Sequence, residues 1–230
     1  MSFITLQNSF FYGMILKAIH DLSAELKSYM PSWPTNPFLV VEPVALVPRD
    51  GYSMERLAGL SHTGTHVDSP AHFFEGGQSV DELDLTRLMG EGYCLRPPLR
   101  GREIGREELS GIWRPEYDGK IVLLYTGWSS KRSFTREFMY NFPGLTKDAA
   151  EFLVERGVRA VGIDTLSVDP YANEKFEAHK VLLSHGVPII EDLSNLSELQ
   201  EGKSYLVAAL PIKLKGGSGA MARVVAVEVE

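Results

Sequence analysis

The amino-acid sequence predicts an α/β or α+β fold built around a central mixed β-sheet. Short runs of aliphatic and β-branched residues predict strands, and several are apolar enough to be buried on both faces. Segments with helical periodicity lie between some of these runs. The chain has 230 residues with no fixed-period repeat and no low-complexity linker, and this predicts one domain over residues 1–230.

The predicted strands are apolar runs in the second half of the chain. Their lengths are typical of strands in globular proteins. The runs are residues 120–125 (KIVLLY), 158–163 (VRAVGI), 187–190 (VPII), 205–210 (YLVAAL) and 224–229 (VVAVEV). Their pattern does not fix the order of the strands in the sheet, because order depends on how distant segments pair.

Helices are predicted between some of these strands. Thr146 can cap the segment LTKDAAEFLVERG, and Gly157 follows its end. Ala149, Phe152 and Leu153 form an apolar stripe along one side of this segment. The segment FEAHKVLLSHG ends likewise in a glycine, which predicts a second helix there.

The start of the chain is apolar but does not resemble a targeting segment. Gln7, Asn8 and Lys17 interrupt the apolar residues, and no basic stretch precedes them. Residues 1–19 are therefore predicted to be an N-terminal extension that contains a strand or edge element with a frayed start. No run approaches the ~20 apolar residues that cross a bilayer, so we expect no membrane partner.

Charge and cysteine usage exclude several classes of protein. The net charge of −7 and the pI near 5.4 argue against a nucleic-acid partner, because phosphate binding needs clustered lysine and arginine. Cys94 is the only cysteine, so one chain can form neither a disulfide framework nor a cysteine-based zinc site. These features predict a cytoplasmic protein that acts on a small molecule.

One short segment holds half of the six histidines together with an aspartate, in the order His62-Thr-Gly-Thr-His66-Val-Asp68-Ser-Pro70-Ala-His72. In an extended chain His66 and Asp68 point to the same face and can bind one ion. A straight strand would separate His62 from His66 by about 13 Å, whereas two nitrogen ligands of one zinc ion must nearly touch. The chain must therefore bend between them, and we expect a turn at Gly64.

A helical arrangement of this segment is disfavoured. Thr63, Gly64 and Thr65 are poor residues for a helix interior, and Pro70 lacks an amide donor. His72 suits proton transfer, because an imidazole titrates near neutral pH and a hydrolytic site needs such a group beside an open metal position. Outside the segment, His20 and His185 are more simply explained as ordinary buried or surface side chains.

The segment resembles the His-x-Gly-Thr-His-x-Asp-x-Pro-x-His signature of the cyclase-like metal-dependent hydrolases, the family of bacterial kynurenine formamidase (arylformamidase) and isatin hydrolase. The resemblance covers roughly residues 20 to 228. It includes Asp21-Leu-Ser opening the first strand, Thr126-Gly127-Trp128, FPGLTKDAAEFLVERGVRAVGIDTLSVDP, AHKVLLSHGVPIIEDLSNL and LPIKLKGGSGAMARVVAV. It implies a swivelling β/β/α domain, usually assembled as a homo-oligomer.

The resemblance also implies roles for individual residues. His62, His66 and Asp68 would bind a first divalent ion, and Asp68 would bridge to a second. His179 would bind that second ion, and Glu191 would bridge both. The ions would be zinc, or alternatively manganese, because both accept these ligands. Asp164 and Asp169 are either partners that orient the ligands or residues that form a Val-Asp-Pro turn.

The implied reaction is hydrolysis of an amide-type C–N bond, in an aryl formamide such as N-formylkynurenine or in a cyclic amide. Metal-activated water would attack the carbonyl, with His72 as the general acid and base. Trp33 matches a tryptophan that helps to stack the aromatic substrate in the formamidases, although packing beneath a proline-rich loop explains it equally well. Thr35 and Asn36 stand where the family commonly has Gly-Asp, and Gly219-Ala220-Met221 stands where it has Gly-Ser-Pro.

Two other classes of function remain open at this point. One is a non-catalytic metal-binding or small-molecule-binding protein on the same scaffold, which would be expected to have lost the proton-transfer residue. The other is an oxygenase with one redox metal held by two histidines and a carboxylate. A metal-to-chain ratio near two favours the hydrolase, and a ratio near one favours the oxygenase.

Overall fold

A computed structural model describes residues 10–11 and 14–229 of the chain. The strands in this part of the chain are β1 (Phe10–Phe11), β2 (Met14–Asp21), β3 (Val40–Ala45), β4 (Met54–Ala58), β5 (His66–Asp68), β6 (Met89–Leu95), β7 (Glu103–Ile104), β8 (Ile121–Leu124), β9 (Gly144–Leu145), β10 (Ala160–Ile163), β11 (Ile189–Glu191), β12 (Ser204–Pro211) and β13 (Gly219–Val229). All five predicted strands are present, with ends shifted by a few residues; the last extends back to Gly219.

The described α-helices are α1 (Val47–Asp50), α2 (Arg106–Ser110), α3 (Arg136–Tyr140), α4 (Lys147–Glu155) and α5 (Glu177–Ser184). Short 3-10 helices cover Pro70–His72, Val80–Glu82, Leu85–Arg87, Pro115–Tyr117, Trp128–Lys131 and Leu196–Glu198. The two longest helices, α4 and α5, are those that the sequence predicts. Gly157 and Gly186 follow them with φ of +65°, so both predicted helix ends are confirmed.

The main sheet is mixed and closes on itself. Its strands lie in the order β1-β2-β13-β12-β6-β8-β10-β11-β5, and β5 also pairs with β13. Strands β6, β8, β10 and β11 are parallel to one another, and the other neighbours in this sheet are antiparallel. The predicted α/β class and central mixed sheet are confirmed, and the closed sheet surrounds a barrel-like core.

The alternating side chains of the central strands build two apolar layers. Ile121 and Leu123 of β8 pack into one buried cluster with Val67, Val207 and other strand residues. Val122 and Leu124 of β8 point the opposite way, into a second cluster formed with α4 and α5. The predicted apolar stripe of α4 is buried in this second cluster. Each central strand is therefore covered on both faces, which explains why its sequence is continuously apolar.

Two local details differ from the sequence expectations. Thr146 stands at the start of α4, but its hydroxyl donates to the carbonyl of Ile104 and to Asp148 rather than accepting a helix amide. Asp21 ends β2 rather than opening the first strand, because the chain already pairs with β13 from residue 16 onward. Residues 14–19 are thus part of the main sheet, whereas residues 1–9 lie outside the described residues.

Strands β3 and β4 form a separate two-stranded hairpin, which we call the arm (residues 40–58). Six large apolar side chains of the arm are exposed to solvent: Val44, Leu46, Val47, Tyr52, Met54 and Leu57. In the described part of the chain, no helix has the length and apolarity needed to span a membrane.

Candidate metal centre

The pairing of β5 with β11 brings two distant parts of the sequence together. His66 and Glu191 are register partners across this antiparallel pair, so their side chains are on the same face. Asp68 is two residues after His66 and shares that face. As a result, His66 Nε2 lies 3.3 Å from Asp68 Oδ1 and 3.5 Å from Glu191 Oε2.

The turn predicted at Gly64 is present and directs His66. Gly64 has φ of +66°, and the chain forms turns and bends from residue 61 to residue 65 before β5 begins. The Gly64 carbonyl accepts a 2.7 Å hydrogen bond from Nδ1 of His66. This bond makes Nδ1 the hydrogen-bond donor to the backbone, so Nε2 is the nitrogen that faces the carboxylates.

The same turn returns His62 to the cluster. Its Nδ1 lies 2.6 Å from Asp68 Oδ1, while its Nε2 is 2.9 Å from the Ser218 hydroxyl on the segment before β13. The imidazole of His62 stacks on that of His72, with ring centroids 4.2 Å apart. His72 belongs to a 3-10 turn that follows β5, and it therefore faces the cluster from a different direction than the strand residues.

His179 reaches the cluster from the first turn of α5. Its Nε2 lies 3.1 Å from Glu191 Oε1 and 3.5 Å from Asp68 Oδ2. Its Nδ1 lies 2.6 Å from Asp169 Oδ2, which orients the ring in the same way that Gly64 orients His66. Asp164 instead accepts hydrogen bonds from the backbone and hydroxyl of Thr126, away from the ligand cluster.

The buried polar atoms show that this cluster fits a divalent metal ion. Six buried side-chain atoms among the described residues lack a hydrogen-bond partner, and four are His62 Nδ1, His66 Nε2 and both carboxylate oxygens of Asp68. They approach one another without hydrogen-bond geometry, as ligand atoms around one ion do. One donor atom from each of His66, Asp68 and Glu191 lies within 4.8 Å of the others, and His62, Asp68 and His72 form a second such group.

The electrostatics of the cluster agree with a cation site. Burial lowers the pKa of His66 and of His179, but the surrounding carboxylates outweigh it, so both pKa values lie well above the usual range. Burial raises the pKa of Glu191, yet the neighbouring histidines outweigh this and bring it to about 2. The buried carboxylates of Asp68 and Glu191 therefore need positive charge nearby to be stable in their ionised form, and a divalent cation can supply it.

His72 differs electrostatically from the other clustered histidines. Burial is the main cause that lowers its pKa to about 4; the neighbouring His62 and His179 add to this effect, and Asp68 and Glu191 partly oppose it. The imidazole is therefore neutral at pH 7 and has a free nitrogen lone pair. Because His72 also lines the adjoining cavity, it can accept a proton from a molecule bound there.

The cluster forms the floor of a cavity of about 340 Å³. Trp33 lines this cavity and packs against Tyr171, Phe142 and Phe176, with ring centroids 5.1, 6.2 and 5.9 Å away respectively. The tryptophan thus both packs under its loop and presents a surface to the cavity. Both explanations of Trp33 that the sequence left open are compatible with this position.

The structure adds an ion pair that the sequence did not reveal. Asp192 lines the cavity with a left-handed φ of 57°, and both of its carboxylate oxygens accept hydrogen bonds from the guanidinium of Arg132. The Asp192 carbonyl also accepts a 2.7 Å bond from Thr65, the residue before His66. The position of Asp192 directly after Glu191 is the one sequence signal that could have indicated it, whereas nothing in the sequence near Arg132 indicates its partner.

A closed mixed sheet, with two buried histidines, one half-buried histidine and two buried carboxylates at the base of a cavity, defines a candidate metal enzyme. The family model described as "Putative cyclase" matches residues 20–170, and the chain belongs to this family. It is 31% identical to kynurenine formamidase from Bacillus cereus (strain ATCC 14579) over 206 residues, which are 89% of this chain and 95% of the relative.

Solved structures agree with the family assignment. A potential metal-dependent hydrolase with cyclase activity is 30% identical, with a TM-score of 0.78 and coverage of 94% of this chain and 99% of the other. Isatin hydrolase A from Labrenzia aggregata, bound to benzyl benzoate, is 26% identical, with a TM-score of 0.80 and coverage of 92% and 94%. The predicted family resemblance is therefore confirmed.

Proposed function

We propose that this protein is a metal-dependent hydrolase that cleaves an amide-type C–N bond in an aryl formamide, such as N-formylkynurenine, or in a cyclic amide. The observation that carries the proposal is a cluster of five side chains beside a cavity: His62, His66, Asp68, His179 and Glu191. Several of their buried nitrogen and oxygen atoms have no hydrogen-bond partner and can bind a metal ion. The kynurenine formamidase and isatin hydrolase relatives support this reaction class.

We propose that the ligands hold two divalent ions, zinc in preference to manganese. His62, His66 and Asp68 would hold one ion, and His179 would hold the other, with Asp68 and Glu191 shared between them. The distances from His179 Nε2 to both carboxylates support this division. When bound, such ions polarise a carbonyl and lower the pKa of water from about 15.7 towards about 7.

The residues of the chain would supply orientation and proton transfer. His72 is neutral at pH 7, so it can take a proton from the attacking water and return it to the departing amine. Trp33 would stack on the aryl group and hold the reacting bond over the cluster. The aromatic side chains around the cavity would exclude bulk water, which strengthens these electrostatic interactions.

We also propose that the protein is a homo-oligomer assembled through the arm. A two-stranded hairpin is marginally stable alone, and the arm leaves six large apolar side chains exposed. A groove beside it is lined by Leu26, Leu57, Pro211, Ile212 and Met221. The arm of a second copy would fill this groove, and two-fold symmetry would repeat the contact.

A cytoplasmic location stays a prediction from the single cysteine.

The test combines metal content with turnover. Protein loaded with zinc or manganese and dialysed is expected to hold about two ions per chain and to hydrolyse formanilide, N-formylkynurenine, isatin or a cyclic amide. His179→Ala is expected to lower the ratio to about one, whereas His185→Ala, at the exposed end of the same helix, is not. A ratio near one in the unaltered protein favours the oxygenase, and full loading without any turnover favours a binding protein.

A further inference from the structure

The walls of the cavity above the cluster are neutral. Apolar side chains form most of them, and hydroxyl and amide groups supply the polarity. The apolar residues are Trp33, Phe73, Leu166 and Phe176, and the neutral polar residues are Ser32, Asn36 and Ser167. Such a surface can stack on an aromatic ring and form single hydrogen bonds with an uncharged group.

The charged groups near the cavity are already occupied. Among the described residues that line it, none is a lysine or an arginine. Glu191 belongs to the metal cluster, and both carboxylate oxygens of Asp192 accept from Arg132. The Arg132 side chain is itself largely buried, so it is not available to pair with a second carboxylate. On the walls above the cluster, a substrate carboxylate would therefore lack a cationic side chain as its partner, and a substrate ammonium would lack a free anionic one.

We infer that the site selects aryl amides whose non-reacting end is uncharged. It would discriminate against substrates that carry a charged amino-acid tail, that is, an ammonium and a carboxylate group. This inference rests on the proposed hydrolase function and narrows its substrate class. The physical reason is that a charge that leaves water for these largely apolar walls loses hydration free energy unless an oppositely charged partner compensates for the loss. The Arg132–Asp192 pair enforces the selection, because each group neutralises the other beside the cavity.

A matched pair of substrates tests this inference. N-formylkynurenine and N-(2-acetylphenyl)formamide share the aryl formamide and the ortho ketone, and they differ in the amino-acid tail. With metal-loaded protein, kcat/KM is expected to be at least about tenfold higher for the tail-less compound. Equal or faster hydrolysis of N-formylkynurenine overturns the inference and leaves the hydrolase function standing. Failure to hydrolyse any amide of the wider panel overturns the hydrolase function and the inference with it.

Binding gives a second readout that does not depend on turnover. Isothermal titration calorimetry would compare 2-aminoacetophenone with kynurenine, the two amines that these reactions release. The tail-less amine is expected to bind at least about tenfold more tightly. Equal affinities, or tighter binding of kynurenine, contradict the inference that the uncharged cavity walls select against a charged tail.

An exchange at Asp192 tests the role of the ion pair. Asparagine tolerates the left-handed backbone of this position, so Asp192→Asn keeps the shape and removes the charge. Arg132 then faces the cavity wall without its carboxylate, and the preference for the tail-less substrate is expected to fall by at least about fivefold. The matched control adds Arg132→Gln, which removes the freed cation and is expected to restore the preference. An unchanged preference in Asp192→Asn contradicts the assigned role.

Discussion

Asp169 Oδ2 lies 2.6 Å from Nδ1 of His179 and also accepts the backbone N–H of His179 at 2.9 Å. The other oxygen of Asp169 accepts from the amide N–H of Ala178 and from the side chain of Asn173. Every partner of this buried carboxylate is thus a donor. The carboxylate fixes both the start of α5 and the nitrogen that His179 turns towards Asp68 and Glu191.

Replacement of Asp169 is expected to weaken metal binding. Asp169→Asn directs an NH₂ group at one set of these donors, so His179 loses its orientation and metal affinity falls by about 10- to 100-fold. Titration with zinc against a competing chelator measures the change. Asp164→Asn is the control, because Asp164 is also buried but bonds to Thr126. An equal loss of affinity in both variants would show that Asp169 acts through general stability.

His72→Ala is expected to retain its metal and lose turnover. His72 is the neutral imidazole beside the cluster, and general acid–base catalysis contributes about 10²- to 10⁴-fold in rate. Metal analysis and an activity assay on the same sample measure both effects. Full activity in the variant removes His72 from the mechanism, whereas loss of metal together with activity would assign it to the group of ligands that includes His62 and Asp68.

Gly64→Ala is expected to disturb the turn of residues 61–65, which positions His62 and His66. A Cβ at Gly64 would lie 2.6 Å from Cδ2 of Leu26, in addition to the strain of the positive φ. Gly51→Ala is a matched control, since Gly51 has φ of +80° and open space around its missing Cβ. The control is expected to lose about 1 kcal/mol of unfolding free energy from the backbone alone. Gly64→Ala should lose a similar amount, since the exposed Leu26 side chain can move aside, but it should also bind metal more weakly, because the turn orients His66. Denaturant unfolding and metal titration measure the two effects, and unchanged metal affinity in Gly64→Ala would contradict the prediction.

Cys94 is expected to be unreactive in the folded protein. Burial is the main cause that raises the pKa of its thiol to about 12, so the thiolate is scarce at pH 8. Folding disfavours this thiolate, and the contribution of Cys94 to stability should fall as pH rises above the ordinary value of about 8.5. Mass spectrometry after iodoacetamide treatment at pH 8 should detect labelling in denaturant only. Rapid labelling of the native protein would show that the β6 region opens.

Charge in the arm is expected to prevent self-association. Met54→Glu and Leu57→Glu each introduce a carboxylate at an exposed apolar position of β4. If a second copy covers this surface, the introduced charge would be buried in the interface and the oligomer is expected to dissociate. Light scattering after size-exclusion chromatography would then measure a lower mass. Leu85→Glu is the control at an exposed leucine outside the arm. A protein that is monomeric without substitution, or an unchanged mass in both arm variants, contradicts the proposed interface.

The sequence by itself determined the local features of this protein. The apolar runs predicted the central strands, and two-residue alternation put His66 and Asp68 on one face. The positive φ of Gly64 followed from the need to return His62 to them. Such features follow from steric and periodic rules that act over a few residues, so a short segment is enough to infer them. The ligand assignments of His179 and Glu191 depended on family resemblance.

Only the tertiary structure decided which distant residues meet. The register of β5 against β11 sets Glu191 opposite His66, and the start of α5 brings His179 to the same point. The Arg132–Asp192 pair spans 60 residues and leaves no local pattern. Strand order, register and the exposure of the arm arise from the packing of the whole sheet, in which many weak contacts act together. No single segment is enough to predict strand order or register, because each contact joins residues that are far apart in the sequence.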